Sequence, residues 1–138
     1  MTEPTDYENL LATKIIGCAM TIHRRFGPGL VESVYETCFC HELVKTGLAV
    51  HRQKPQPIIY DDITFEDPFR LDILVEDTVI VENKHVEVVL PVHKAQVRTY
   101  LKLANRRLGL LINFNTEYLK NGIHRIVNGS ATYDSPNH

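Results

Sequence analysis

Residues 69–85 read Phe69-Arg70-Leu71-Asp72-Ile73-Leu74-Val75, then Glu76-Asp77-Thr78, then Val79-Ile80-Val81-Glu82-Asn83-Lys84-His85. The first run alternates Phe69, Leu71, Ile73 and Val75 against Arg70, Asp72 and Leu74. The second alternates around Ile80, Glu82 and Lys84, so both read as strands. Glu76-Asp77-Thr78 is short enough to join them as a hairpin. Side chains alternate across a strand, so Glu82 and Lys84 share one face and Asp72 shares a face with Arg70 and Leu74. With a three-residue loop, Asp72 falls directly opposite Glu82, where Cβ atoms stand about 4.5–5.5 Å apart. Two carboxylates that close repel unless a cation or a proton lies between them.

Toward the N-terminus, Leu11, Ile15, Cys18, Ile22 and Phe26 recur at helical steps and predict a helix over about Tyr7 to Phe26. Gly27-Pro28-Gly29 stops it. A second helix is expected from about Val31 to Lys45, with Tyr35, Phe39 and Leu43 on one stripe and Gly47 at its C-terminal end. The two should form a helical hairpin. Pro55 and Pro57 then predict an edge or a break between short strands, because proline cannot donate to a sheet ladder.

Toward the C-terminus, Pro91 suits the first turn of a helix reaching about Ala104. Leu108 to Phe114 is nearly all apolar, as in a strand covered on both faces. Strand, helix and strand at this spacing make a crossover unit, so this strand should run parallel to the one carrying Glu82. Ile123 to Val127 can add an edge strand, and residues 129–138 read as a flexible tail. The whole is an α/β chain. Its 138 residues suit one domain, 1–138, with an ordered core over 7–128.

Composition narrows the class. The chain is 43% hydrophobic and 23% charged, as soluble globular proteins are. It lacks the roughly 18 uninterrupted apolar residues of a spanning helix. The acidic opening MTEPTDYENL has no basic n-region followed by an apolar run, so a cytoplasmic location and no membrane partner are expected. Three cysteines, Cys18, Cys38 and Cys40, lack zinc-type spacing and read as buried free thiols. A net charge of −2 exerts no global pull on nucleic acid. Any such partner needs a local patch, for which Arg24-Arg25, His51-Arg52-Gln53-Lys54 and Arg106-Arg107 are candidates.

The paired acids suit a hard divalent ion such as Mg²⁺, which prefers oxygen ligands and retains waters. Lys84 could orient the attacking water or stabilise charge developing on phosphate. The bland alternative is a surface network in which Lys84 and Arg70 neutralise Asp72 and Glu82. Glu32 falls on the stripe of Tyr35, Phe39 and Leu43. It either turns inward, where its charge needs a partner, or turns outward as a helix-start acid favoured by the dipole. In the third helix His93, Gln96 and Tyr100 make a polar stripe, either an ordinary wet face or a border of the site; Val97, Leu101 and Ala104 make an apolar one.

Gly29-Leu30-Val31-Glu32-Ser33-Val34-Tyr35 resembles the signature of the GxxExxY protein family. Arg70-Leu71-Asp72, Val81-Glu82-Asn83-Lys84, Pro91 to Gln96 with Tyr100, and Leu108 to Asn115 resemble it in the same order. The resemblance covers nearly the whole chain except the two ends. It implies the PD-(D/E)XK nuclease-like superfamily. That fold has an α-β-β-β-α-β core with a mixed central sheet flanked by helices, here with an extra N-terminal helix. It implies Asp72 and Glu82 as ligands of Mg²⁺ or Mn²⁺, the main-chain carbonyl of Asn83 as a further ligand, Lys84 as catalytic lysine, and Glu32 as the helix acid beside the metal. Gln96 and Tyr100 resemble the Gln-x-x-x-Tyr element of RecB-like nucleases. Leu71 stands where the superfamily's name has proline, and Asn83 where an apolar residue is usual. Asn83 and His85 face away from Glu82 and Lys84, so that face is expected to be less buried or to meet a partner subunit.

The resulting expectation is a metal-dependent nuclease acting on nucleic acid, DNA before RNA. The alternatives are a non-catalytic module that binds nucleic acid or protein on the same fold, and a homodimer with a structural acid cluster.

Overall fold

The computed structural model describes residues 2–135. Helix α1 (Asp6–Phe26) begins at Thr5, whose hydroxyl accepts from Glu8 N–H while the Glu8 carboxylate accepts from Thr5 N–H, a reciprocal cap. Leu11, Ile15, Cys18 and Ile22 are buried as their spacing predicts, but Phe26 at the end of the stripe is 43% exposed. Gly27, at φ +65°, turns the chain out of the helix. Helix α2 (Glu32–Lys45) packs against α1 and buries Tyr35, Phe39 and Leu43. It ends at Thr46, followed by Gly47 at φ +93°.

The strands are β1 (Val50–Pro55), β2 (Ile58–Tyr60), β3 (Ile63–Phe65), β4 (Arg70–Val75), β5 (Val79–Lys84), β6 (Leu108–Asn113) and β7 (Ile123–Val127). Five of them form a mixed sheet in the order β1-β4-β5-β6-β7. β1, β4 and β5 are antiparallel neighbours, β6 lies parallel to β5, and β7 closes the far edge antiparallel. Helix α3 (Pro91–Ala104) makes the crossover between the parallel pair. The core order α2-β1-β4-β5-α3-β6, with α1 in front, is the expected one. Pro55 closes the edge strand β1, as a residue without an N–H donor can. Between β1 and β4 the chain inserts a separate hairpin, β2–β3, whose Ile59, Tyr60, Ile63 and Phe65 are exposed.

The sheet is covered on both faces. Against α1 and α2 it places Ile73, Val75, Val79, Val81, Leu108, Leu110 and Ile112. Against α3 it places Leu71, Leu74, Ile80, Leu111 and Ile126, which meet Val97 and Leu101. A Cβ at Gly109 would come within 2.9 Å of Val97 Cγ1, so this glycine lets α3 lie close on β6. Every residue of β6 is buried, as its apolar run predicts.

Residues 129–135, read as a tail, make defined contacts. Thr2 N–H donates to Gly129 O, Arg107 donates to Ala131 O and Tyr133 O, and the Arg106 guanidinium lies 3.7 Å over the Tyr133 ring. Residues 136–138 of that expected tail lie outside the described residues. All three cysteines are free; Cys18 is buried, and burial pushes the Cys40 thiol up to about 11. No helix among the described residues is long and apolar enough to cross a membrane.

Candidate active site

The β4–β5 loop is the three-residue one, Glu76-Asp77-Thr78, with Glu76 and Asp77 at φ +52° and +50°. It sets Val75 opposite Val79, Leu74 opposite Ile80 and Ile73 opposite Val81. The next step of that register brings Asp72 to Glu82. There the regular ladder ends and the side chains take over. Asp72 N–H donates to Glu82 Oε1 at 3.2 Å, and Asn83 N–H donates to Asp72 Oδ2 at 3.0 Å.

Leu71 packs on the α3 side, whereas Ile73 and Val75 pack under α1 and α2, so the alternation of β4 breaks at Asp72. Strict alternation puts Asp72 on the face of Arg70 and Leu74. Instead its carboxylate turns into the opening between the two strands, where both strands' acids meet.

Glu82 is 5% exposed. Its carboxyl titrates well above the usual carboxylate range, first because burial disfavours the charge and next because of the Asp72 carboxylate beside it; the Asp72 N–H and Lys84 oppose this in part. Lys84 is half-buried, and its positive field reaches both Glu82 and Glu32. Among the described residues it forms no ion pair. Arg70 is engaged elsewhere, with Asp67 at 2.8 Å and the Gln53 carbonyl at 3.3 Å. The neutralising network of Lys84 and Arg70 therefore does not form, and among the described residues no side-chain cation pairs with Asp72 or Glu82.

From α2, Glu32 takes the outward position, exposed in the first turn. Its acidity is weakened by burial and then by the Asp72 charge, and strengthened by Lys84, so it shares the site's field from the rim. The buried acid of α2 is Glu36, one helical turn further on, which sequence reasoning missed. Glu36 accepts from Arg52 Nε at 3.0 Å and from Gln53 Nε2 at 2.8 Å. The same Gln53 nitrogen reaches Asp72 Oδ1 at 3.5 Å. Gln53 has φ +54°, an unusual backbone for a side-chain-bearing residue within a strand. The strained turn of β1 is what aims its amide at both acids.

From α3, Tyr100 stacks on Phe69 with ring centroids 4.3 Å apart. Burial, then the charges of Glu82 and Asp72, hold its phenol above the ordinary tyrosine range. Gln96 is exposed one turn earlier and makes no hydrogen bond among the described residues. His93 does not complete the polar stripe: its Nδ1 accepts from Leu90 N–H at 2.9 Å and caps the helix.

Asn83 overturns the expectation of a less buried face, being 1% exposed. Among the described residues both atoms of its side-chain amide lack a hydrogen-bond partner, as does Nδ1 of His85, whose ring stacks on Tyr35 at 5.7 Å.

Asp72, Glu82 and the main-chain carbonyl of Asn83 are all hard oxygen donors, and among the described residues no side-chain cation forms an ion pair with the two acids. That chemistry fits a magnesium-type ion, which takes one or two carboxylates and keeps waters. Among the described residues no three Asp, Glu, His or Cys side chains gather as a full ligand cage.

A mixed sheet between two helical layers, with an acid dyad and a lysine where two central strands part, defines a nuclease-type domain. The family model of the PD-(D/E)XK nuclease superfamily matches residues 9–126, and the chain belongs to that superfamily. Its nucleases generally use divalent metals. No curated protein and no solved structure shows significant similarity to the chain.

Proposed function

We propose that this chain is a cytosolic, divalent-metal-dependent nuclease of the GxxExxY type that hydrolyses phosphodiester bonds of nucleic acid, DNA before RNA. The observation that carries the reading is the acid dyad: two carboxylates joined through each other's strands, one of them buried, with Lys84 on the same strand and no ion pair to either acid among the described residues. Asp72, Glu82 and the Asn83 carbonyl would hold Mg²⁺ or Mn²⁺, with Glu32 at the rim. Such an ion supplies Lewis-acid charge against the charge developing on a phosphoryl group. Lys84 orients the attacking water and places its ammonium near that charge. Tyr100 and Gln96, one turn apart on α3, offer a hydroxyl and an amide to the phosphates beside the scissile bond.

The test is cleavage of labelled single- and double-stranded DNA and RNA with Mg²⁺, Mn²⁺ or EDTA. Metal-dependent cutting is expected, reduced about 10²-fold or more in Glu82→Ala and in Lys84→Ala. Cutting that survives both substitutions would overturn the assignment. Mn²⁺ binding with no cutting on any substrate would instead leave a binding module on a nuclease fold.

A further inference from the structure

β5 and β6 are parallel, with Lys84 opposite Asn113, so the chain leaving β6 emerges at the same end of the sheet as the acid dyad. In sheets of this kind ligands gather outside the carboxyl ends of the parallel strands. Here the end of α1 and residues 117–120 line an open cleft of about 520 Å³, within the size range of small-ligand sites.

The walls of the cleft are fixed. His23 Nε2 hydrogen-bonds the Thr116 carbonyl at 2.7 Å, tying α1 to the segment after β6. An added Cβ at Gly122 would sit 2.2 Å from the Asn113 carbonyl, so this glycine allows the turn at Leu119–Gly122 to lie tightly on the end of β6. Tyr35 links the cleft to the site: its hydroxyl donates to the Gly27 carbonyl in the cleft wall, and its ring stacks on His85, the residue after Lys84.

The lining has a definite chemistry. Tyr118 is 60% exposed, far more than a packed aromatic side chain. Arg24 and Lys120 are exposed and have no ion-pair or hydrogen-bond partner among the described residues; Glu117 is the lone acid of the lining. The chain's acids concentrate elsewhere. Residues 56–69, around the β2–β3 hairpin, hold Asp61, Asp62, Glu66 and Asp67 and no Lys or Arg. The net charge of −2 therefore conceals a polarity, with free cations beside the cleft.

An exposed aromatic ring sharing a cleft with two cations unpaired among the described residues suits a nucleic-acid strand with an unpaired base: the ring stacks a base of any identity and the cations take neighbouring phosphates. We infer that this cleft is a subsite for single-stranded nucleic acid, with Tyr118 stacking a base and Arg24 and Lys120 holding its phosphates. The strand then continues past His85 to Lys84. This direction rests on the nuclease reading, whereas occupancy of the cleft requires no cleavage.

The probe is a fluorescein-labelled oligothymidine of roughly a dozen nucleotides, within the range single-strand sites cover. Its binding to the full chain is followed by anisotropy in EDTA, where no metal-dependent cutting occurs. Tyr118→Ala should weaken binding roughly ten-fold. Arg24→Gln and Lys120→Gln should each flatten the salt dependence by about 0.7 in the log–log slope. Lys102→Gln, on the last turn of α3 and outside the cleft lining, should change neither.

Thermal melts matching wild type certify the fold of these surface variants. Binding that is lost as predicted in a protein that cuts nothing supports the subsite and defeats the nuclease reading. Cutting with unchanged binding in all three cleft variants defeats the subsite and leaves the nuclease reading standing. Failure of the wild type to bind the probe overturns the subsite, and so does an equal effect of Tyr118→Ala on a duplex of the same length.

Discussion

Glu8 and Glu82 are both buried carboxylates, 0% and 5% exposed, and the chain treats them in opposite ways. Glu8 lies in the first turn of α1. It accepts Thr5 N–H at 2.8 Å and two contacts from Arg107 Nη1 at 3.2 and 3.0 Å. Arg107 in turn donates to the Thr2 hydroxyl and to the carbonyls of Ala131 and Tyr133, so both partners of the pair are satisfied. Glu82 accepts only the main-chain N–H of another acid, Asp72, among the described residues, and the cation that could pair with it, Lys84, forms no ion pair with it. A buried carboxylate answered from within the chain belongs to the scaffold. One left unanswered is held ready for a cation from outside.

The contrast breaks most sharply at Arg107. Arg107→Met leaves Glu8 buried and unpaired, which should destabilise the fold by about 3–5 kcal/mol. Adding Glu8→Gln should recover much of that loss, because the stranded charge is removed. Urea unfolding monitored by circular dichroism reads both as shifts in midpoint. If Arg107→Met costs less than about 1 kcal/mol, the pair contributes no more than a surface ion pair and the scaffold assignment of Glu8 fails.

The two carboxylates also differ in how legible they are in the sequence. Asp72 and Glu82 are readable because strands alternate with period two and a three-residue loop allows one register. The helical stripes, the parallel crossover and the edge strand ending at Pro55 follow from equally local rules. The Glu8–Arg107 pair joins residues 99 positions apart, and nothing local in either segment announces it. Gln53 is hidden for a different reason. Its left-handed backbone is imposed by the fold on a residue that does not prefer it. Glu36 had a signal, lying one turn beyond Glu32 on the same side of α2. So did the β2–β3 hairpin, where Asp61-Asp62 separates two short apolar runs. The polar stripe of α3 misled because a histidine can face a site or cap its own helix, and spacing alone does not separate these roles.

Gln53 sharpens the comparison, because it touches the dyad yet sits where backbone strain would favour glycine. If its role is to orient Asp72, Gln53→Ala should weaken Mn²⁺ binding about ten-fold, as loss of an outer-shell partner does. Gln53→Gly should weaken it equally while leaving stability unchanged or raised by up to about 1 kcal/mol, since glycine adopts the left-handed backbone freely. Calorimetric Mn²⁺ titration beside thermal melts separates the two effects. Stability that falls in both variants with Mn²⁺ affinity intact would make Gln53 part of the scaffold, on the side of Glu8.

The smallest effect is also the most diagnostic, because it has the opposite sign to the one at Arg107. The Glu82 carboxyl is raised above its ordinary value of 4.5 by burial and by Asp72, so the folded state holds its proton more tightly than the unfolded chain does. That contribution to stability is fully present below about pH 4.5 and is lost as pH rises through the raised folded value. In EDTA, Glu82→Gln should therefore be more stable than wild type by about 1 kcal/mol near neutral pH, a gain typical of relieving a strained functional site. The melting point should rise by about 4 °C. The advantage should shrink on acidification, as the wild-type carboxyl takes up its proton. Mn²⁺ should reverse the order, stabilising wild type by about 2.7 kcal/mol at a hundred-fold excess over its dissociation constant, and the variant by less. A Glu82→Gln protein less stable than wild type at about pH 8 in EDTA would mean that this charge, too, is answered within the chain. Glu82 would then differ from Glu8 only in the identity of its partner.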